Sequence, residues 1–311
     1  MDSSLPRYDQ LPVRHDQPPG SSWGLWTDGP DYLGALNLLT PERTLAAVQS
    51  VRTGKSFGLN LDFSEPNPPL FGRDKWRHEV VGPLGGGHDD ILHNWNTQAS
   101  SQWDGFRHVA HPEHGHYGGV PDQDHGMHHW SERGIVGRGV LADLERWRAA
   151  QGRPIDQTKN DIIPITDLIL CLADQETEVR TGDILLLRTG WLSWYRTLDR
   201  TERRGMVDLR NFRTSGIEPC METIEQMWNW HIAALAADNP AVETFVRGRG
   251  PEVSLHQNLL PLLGIPLGEL FELDPLAEEC ASTDRWEFLF VSAPINVRGG
   301  VATPPNAVAI C

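Results

Sequence analysis

The chain has 311 residues, of which 39% are hydrophobic and 22% are charged, as in an ordinary folded globular protein. This length permits one large domain or two small ones. The formal net charge of −15 argues against a general nucleic-acid binder and against adsorption to an anionic membrane, because both need basic surfaces. We therefore expect a small-molecule partner, with no nucleic acid and no membrane.

The first 33 residues predict an irregular N-terminal arm, with Trp23, Trp26 and Tyr32 as anchors onto the body of the protein. The start of the arm is polar and shows no signal-peptide pattern. No apolar run approaches the roughly 20 residues that a membrane span requires. We expect a cytoplasmic protein.

The first regular element of the body is a helix that begins at Thr40-Pro41-Glu42. Thr is a favoured N-cap, Pro suits the first helical position, and Glu lies near the positive end of the helix dipole. The helix ends at Gly54. Residues 56–63 then alternate apolar and polar residues, as a half-buried strand does.

Beyond residue 135, strands and helices mix without regular alternation. Apolar runs predict strands at 139–143, 182–187, 232–237, 286–291 and 307–310. Amphipathic or capped segments predict helices at 144–150, from 166, and at 219–230, 255–263 and 274–280. With no repeat or linker in view, residues 34–311 are predicted to form a single α/β domain with a mixed sheet and surrounding helices.

A histidine-rich stretch, residues 78–130, holds ten of the thirteen histidines. Within it, Asp104 and His108 stand four residues apart in a glycine-containing segment. Such a pair can converge on a metal ion or on a substrate carbonyl. Spacing alone does not choose between these roles, and a histidine-rich loop can also be simply solvated.

The segment from Gln98 to His108 resembles the H-x-G-T-H-x-D-x-P-x-H signature of the metal-dependent cyclase and kynurenine-formamidase-like family. With Asp104 aligned, His108 takes the last position of that signature. Gln98 and Gln102 take the positions of its first two histidines.

Further segments resemble the same family, in the same order, so that the resemblance covers roughly residues 34–311. They are Gly182 to Trp191 (GDxxLLRTGW), Asp238 to Glu243, His256 with Leu259-Leu260 followed by Ile265 and Glu269, Trp286-Glu287-Phe288, and Gly299 to Pro305.

The resemblance implies a fold of the swivelling β/β/α type, usually assembled as a dimer or tetramer. It also implies hydrolysis of an amide, formamide or lactam-like bond at a divalent metal ion. Such an ion polarises a carbonyl and lowers the pKa of bound water towards about 7, and a nearby histidine can carry the proton.

The two glutamines depart from the signature, because an amide oxygen is a neutral and generally weaker zinc ligand than an imidazole nitrogen. The residues that resemble a second metal position are all present: Asp104, His108, His256 and Glu269. We therefore expect these four to hold one divalent ion, Zn²⁺ or Mn²⁺. The alternative is that the protein has abandoned metal chemistry.

Within this site, His108 and Asp104 are the predicted catalytic residues. Four neighbours are predicted to contact the substrate, namely Gln98, Gln102, Trp103 and Phe106. For the two aromatic residues, filling the core is an equally good interpretation.

Three functions remain open from the sequence. The first is a hydrolase of C–N or C–O bonds, acting on a small cyclic or aryl amide, formamide, ester or lactone. The second is a metal-free cyclase, isomerase or dehydratase of secondary metabolism, and the third is a catalytically silent binding protein. We also expect a homo-oligomer, because the arm with Trp23 and Trp26 has no core of its own.

Overall fold

A nine-stranded mixed sheet organises the chain. The structure is a computed structural model that describes residues 5–245, 250 and 253–311. The strands are β1 Ser56–Gly58, β2 Arg77–Leu84, β3 Gly87–His93, β4 Gln102–Asp104, β5 Ile135–Asp143, β6 Ile162–Ile163, β7 Ile184–Arg188, β8 Gly216–Ile217, β9 Ala234–Ala237, β10 Leu267–Glu269, β11 Glu287–Ser292, β12 Ala302–Thr303 and β13 Ala307–Ile310. The helices are α1 Pro41–Val48, α2 Met127–Arg133, α3 Leu144–Ala150, α4 Ile165–Asp174, α5 Trp191–Thr197, α6 Arg200–Gly205, α7 Met221–Asn229, α8 Leu255–Leu259 and α9 Asp274–Thr283.

The order of strands in the large sheet is β1-β13-β11-β5-β7-β9-β10-β4-β12. Strands β5, β7, β9 and β10 run parallel, whereas the strands flanking them pair antiparallel. Every residue of β7 and β9 is buried, which is why their sequences are uninterrupted apolar runs rather than alternating ones. These features confirm the predicted single α/β domain with a mixed sheet.

Helices pack against this sheet and against one another, with α1 and α4 on β5 and α3 on both α4 and β7. The predicted N-cap of α1 is present, since the Thr40 side chain accepts a hydrogen bond from the Arg43 amide at 3.3 Å. One large core cluster of buried side chains extends from Trp23 to Ala309. Arm and body therefore share a core.

The N-terminal arm packs on its own chain. Trp23 is buried, and its Nε1 donates to the Pro261 carbonyl at 2.7 Å. Trp228 Nε1 donates to the Pro6 carbonyl at 2.9 Å. The first four residues of the predicted arm lie outside the described residues. The expectation of a homo-oligomer now rests on the family resemblance alone, and a light-scattering mass is the measurement that decides it.

The structure differs from the sequence-based expectations in several places. Helix α1 ends at Val48, before the predicted end at Gly54, and α8 ends at Leu259 rather than at residue 263. The strand predicted at 56–63 is short, with only β1 formed. The histidine-rich stretch contains a hairpin, β2 with β3, whose second strand is exposed on both faces and so lacks the alternation that identifies a strand. No helix among the described residues is long and apolar enough to cross a bilayer.

Candidate metal and catalytic site

Two antiparallel strands place the polar residues of the site. β4 pairs with β10 so that Gln102 lies opposite Glu269. Since side chains alternate between the faces of a strand, Gln102 and Asp104 project to one side and Trp103 projects to the other. Trp103 is fully buried in the core, and its Nε1 donates to Ser292 Oγ at 3.0 Å.

Asp104, His256 and Glu269 form a cluster whose ligand atoms all lie within 4.8 Å of one another. His256 Nε2 lies 3.2 Å from Glu269 Oε1 and 3.9 Å from Asp104 Oδ2. Both carboxylates are buried. Within the part of the chain that the structure describes, this is the only group of three or more His, Cys, Asp or Glu side chains arranged to hold an ion.

Glu243 fixes the orientation of His256. Its Oε1 accepts from His256 Nδ1 at 2.8 Å, and its two oxygens also accept the backbone amides of Leu255 and His256 at the start of α8. A hydrogen on Nδ1 leaves Nε2 as the nitrogen that faces Asp104 and Glu269. This carboxylate–histidine arrangement is typical of the outer shell of a metal site.

Two buried oxygen atoms at the cluster have no hydrogen-bond partner among the described residues: Asp104 Oδ2 and Gln102 Oε1. The amide nitrogen of Gln102 donates to Glu269 Oε2, so that Gln102 is held against the cluster. Buried oxygens without donors are costly unless a cation or water meets them. Two carboxylates and one imidazole are ligands that suit Zn²⁺ or Mn²⁺, so the residues present fit a divalent ion.

The charges of the cluster are strongly coupled. Burial, followed by the neighbouring Asp104 carboxylate, raises the pKa of Glu269. Burial alone would lower the pKa of His256, but its hydrogen bonds to Glu243 and Glu269 outweigh burial and raise that pKa well above the ordinary value. Neighbouring carboxylates contribute to both shifts, whereas burial raises the pKa of the acid and opposes the rise at the imidazole.

His108 lies beside the cluster but outside it. Its Nε2 is 3.8 Å from Asp104 Oδ2, and its Nδ1 is held by Gln98, whose Nε2 lies 3.0 Å away. The same Gln98 nitrogen donates to Asp104 Oδ1 at 2.8 Å, and this bond fixes which end of the amide faces the imidazole. Nδ1 must therefore accept, so the hydrogen of the neutral ring sits on Nε2. Burial lowers the pKa of His108, which favours this neutral form.

An open cavity of about 500 Å³ gives access to these residues. Its polar wall contains His108, His256, Glu243 and Glu269. The remaining wall is largely apolar, from Phe71, Val109, Pro219, Pro240, Ala241 and Phe245. The mixture of an apolar surface with a few convergent polar groups is typical of a small-molecule site.

Arg73 contributes a positive charge to this cavity. Its Nη1 donates to the Gln98 carbonyl, and its side chain lies over the Phe71 ring, with 5.0 Å between the guanidinium carbon and the ring centroid. Burial lowers the pKa of Arg73, and the charges of Glu269 and Asp104 oppose that effect. Among the described residues, no carboxylate lies within 4.0 Å of its guanidinium nitrogens.

The structure brings together only part of the residues predicted from the sequence. Asp104, His256 and Glu269 converge, and His108 lies next to them. Gln98 and Gln102 hold site residues in place but do not line the cavity. Trp103 and Phe106 lie in the core, where Phe106 packs against Tyr117 and Trp130 and other rings, so their positions do not match a role in contacting substrate.

Sequence reasoning missed two features of the cavity. The segment from Asp238 to Glu243 resembles one in which an Asp and a later acid face the pocket, but a loop position does not reveal that Glu243 caps α8 and holds His256. Arg73 lies in the irregular chain before β2, where no periodicity or motif marks it.

The chain matches a family model described as "Putative cyclase" over residues 50–244. The crystal structure of a novel cyclase is 30% identical, with a TM-score of 0.81, and the match covers 94% of this chain and 99% of that one. Isatin hydrolase A from Labrenzia aggregata, bound to benzyl benzoate, is 16% identical with a TM-score of 0.60, covering 88% of this chain and 98% of that one. Isatin hydrolase A from Ralstonia solanacearum is 12% identical with a TM-score of 0.61, and the match covers 87% of this chain and 97% of that one. No curated protein shows significant sequence similarity to the chain.

Proposed function

The chain belongs to the cyclase family, and from this premise we propose that it is a hydrolase of a small cyclic or aryl amide, formamide, ester or lactone. The observation that carries the proposal is the cluster of Asp104, His256 and Glu269, of which His256 and Glu269 line the cavity together with His108. The isatin hydrolases share the fold, and cleavage of a cyclic amide is the kind of reaction that their name suggests.

We propose that Asp104, His256 and Glu269 hold one divalent ion, Zn²⁺ or Mn²⁺. Asp104 Oδ2, which has no donor among the described residues, supports this assignment. When bound, such an ion polarises a carbonyl and lowers the pKa of bound water towards about 7. Three ligands from the protein are the usual number at a catalytic zinc site.

Glu243 supports this site without contacting the substrate's reacting atoms. By accepting the Nδ1 hydrogen, it keeps the His256 lone pair on Nε2, directed towards the two carboxylates. It also ties His256 to the start of α8 through two backbone amides. We therefore assign Glu243 a positioning role.

His108 is proposed as the residue that acts on the substrate carbonyl. Gln98 holds its Nδ1 as an acceptor, which leaves the hydrogen of the neutral ring on Nε2, and the ring lines the cavity. From Nε2 it can donate a hydrogen bond to the carbonyl oxygen as negative charge develops there, or to the leaving nitrogen or oxygen, and the ring remains neutral throughout.

The cavity favours a substrate with a flat apolar body. Phe71 and Phe245 supply aromatic surface to the cavity, and the volume of about 500 Å³ accommodates a ring system of one or two rings. Arg73 provides a cation for the carboxylate that hydrolysis of an amide or ester creates.

The test is a panel of formamides, lactones and cyclic imides incubated in H₂¹⁸O, with the products analysed by mass spectrometry. A hydrolase inserts one labelled oxygen into the product for each bond cleaved. A product formed without label at its new carbonyl or carboxyl group would contradict hydrolysis.

A metal-free cyclase, isomerase or dehydratase is the second candidate. It is favoured by the hydrogen-bonded chain Glu243–His256–Glu269, which could move a proton without an ion. The presence of Gln98 and Gln102 in place of two signature histidines also favours a reaction without a metal ion, because amide oxygens are weaker zinc ligands than imidazole nitrogens. The labelling experiment separates the two candidates, because these reactions do not add the oxygen of water to the product.

A further inference from the structure

A second cavity, of about 730 Å³, lies between the chain before β2 and helix α6. Four of the side chains that line it are cationic: Lys75, Arg200, Arg203 and Arg204. The other lining residues are uncharged, and no acid is among them. In a chain with 42 acidic and 27 basic residues, a cavity lined only by positive charge departs from the average surface.

Three acids close to the cavity in sequence are occupied elsewhere. Asp199 and Glu202 form a capping box on α6, in which Asp199 accepts the Thr201 and Glu202 amides and Glu202 accepts the Asp199 amide. Glu65 pairs instead with Arg196 at 2.9 Å. Across the described parts of the chain, none of the four cationic groups in the cavity has a carboxylate within 4.0 Å.

Arg203 is held in position before any ligand arrives. Its guanidinium carbon lies 4.9 Å from the centroid of the Tyr195 ring, and its Nη2 donates to the Arg196 carbonyl at 2.7 Å. Its Nε is buried and, within the described residues, has no hydrogen-bond acceptor. The Tyr195 hydroxyl in turn accepts the amide of Asn67, another lining residue, at 3.1 Å.

We propose that this cavity is a binding site for a small polyanion that carries at least two adjacent negative groups. Three arginines and one lysine around one space supply both the charge and the forked donors that phosphate and carboxylate oxygens accept. The site is separate from the catalytic cavity, but the two share a loop. Asn67 and Lys75 line one, and Phe71 and Arg73, between them in sequence, line the other.

Isothermal titration with pyrophosphate tests the proposal on the full chain at constant ionic strength. The double variant Arg200→Gln/Arg204→Gln removes two cavity charges, and the matched control Lys159→Gln/Arg210→Gln removes two exposed charges that are each paired with an acid. We expect binding in the millimolar range or tighter, weakened at least about tenfold in the cavity variant and less than about twofold in the control.

Equal weakening in both variants, or no binding by the unaltered protein, would overturn the proposal. Pyrophosphate could also chelate an ion at the catalytic site, but that contribution to the measured heat would be equal in both variants. The difference in affinity between the variants therefore reports binding at the second cavity alone. A parallel titration with citrate tests whether polycarboxylates bind at the same site. A titration with acetate tests whether adjacent charges are needed. Binding of acetate as tight as that of pyrophosphate would contradict the requirement for a polyanion. Binding should persist in His108→Ala, which keeps this result independent of the proposed hydrolysis.

Discussion

Glu243 has two structural roles. Its carboxylate accepts a hydrogen bond from the Leu255 backbone amide at the start of helix α8 and another from Nδ1 of His256. A carboxylate in this outer position raises the basicity of the imidazole that it holds. The two oxygens of Glu243 thus link the local fold of the helix to the chemistry of the cluster.

We expect Glu243→Gln to weaken divalent-ion binding about 10- to 100-fold, because the amide supports the ring without stabilising its metal-binding form to the same degree. Competition with a chromogenic chelator measures the affinity. Glu278→Gln is the control, since the Glu278 side chain is mainly exposed and pairs only with Arg146 among the described residues. Unchanged affinity in Glu243→Gln would show that His256 is positioned without it.

His108→Ala should reduce kcat about 100-fold or more while leaving the fold intact, because losing one hydrogen-bond donor to a developing negative charge typically costs about 10²–10³ in rate. The measurement is steady-state turnover of a substrate found in the panel, with circular dichroism to verify folding. His114→Ala, a histidine outside the cavity, should retain full activity. A His108→Ala enzyme with more than about a tenth of the original kcat would remove His108 from the chemistry.

The sequence was sufficient to identify part of this site. Asp104, His256 and Glu269 could be predicted because they resemble spaced family motifs. The environment of His108 could not, because it depends on the orientation of the Gln98 amide. Arg73 was beyond sequence reasoning, since its place in the cavity is created by the packing of an irregular segment.

At the scale of the elements, the pairing of β4 with β10 decides which side chains lie beside Glu269 in the cluster. The strand period of two places Gln102 and Asp104 on one face and Trp103 on the other. Trp103 could therefore have been assigned to the core from the sequence if β4 had been recognised as a strand. A strand of three residues is too short to give a periodic signal.

Gly268, in the middle of β10, allows this pairing to pack closely. A Cβ at this position would lie 2.7 Å from Ala236, 2.7 Å from Phe271 and 2.9 Å from Trp103. We expect Gly268→Ala to destabilise the protein by about 1–3 kcal/mol through overpacking. Urea unfolding measures the change.

Gly58→Ala is the matched control for this prediction. Gly58 also lies in a strand, but a Cβ added there would have no atom of the described residues within 4 Å beyond its own chain neighbours. Its substitution should change stability by less than about 0.5 kcal/mol. Equal effects at the two glycines would show that the β4–β10 contact is not tightly packed.

Longer elements were predicted well where local and tertiary preferences agree. Strands β7 and β9 combine apolar runs with complete burial, and α3 begins and ends where its sequence predicts. The hairpin of β2 and β3 was not predicted, because exposure of both faces of β3 leaves no apolar stripe.

At the scale of the whole molecule, a buried neutral histidine makes folding sensitive to acid. Burial lowers the pKa of His125 from 6.5 to about 4, and its Nε2 lies 3.0 Å from the Tyr117 carbonyl. Between these two values the unfolded chain binds more protons than the folded one. The stabilising contribution is therefore present above about pH 6.5 and is lost as the pH falls towards 4.

The free energy of unfolding should fall between pH 6.5 and pH 4, and we expect His125→Gln to make this fall smaller by up to about 3 kcal/mol. Denaturant unfolding across this pH range measures the effect. His15→Gln changes an exposed histidine and should leave the profile as it is. A profile that is equally steep in His125→Gln would assign the acid sensitivity to other groups.

We propose that each chain holds a single divalent ion, between Asp104, His256 and Glu269. Two carboxylates neutralise such an ion, whereas the two glutamines that replace signature histidines add no charge, and their amide nitrogens already donate to Asp104 and Glu269. A second ion would lack charged ligands of its own. One ion per chain is therefore the expected content.

Elemental analysis of protein purified without a His tag or added metal measures the ion content of this site. We expect about one equivalent of Zn²⁺ or Mn²⁺ per chain, which falls strongly in Glu269→Ala and is unchanged in Glu278→Ala. Two equivalents per chain would contradict the one-ion site. No metal, in an enzyme that is fully active and insensitive to chelators, would contradict the metal-dependent hydrolase and favour the metal-free cyclase.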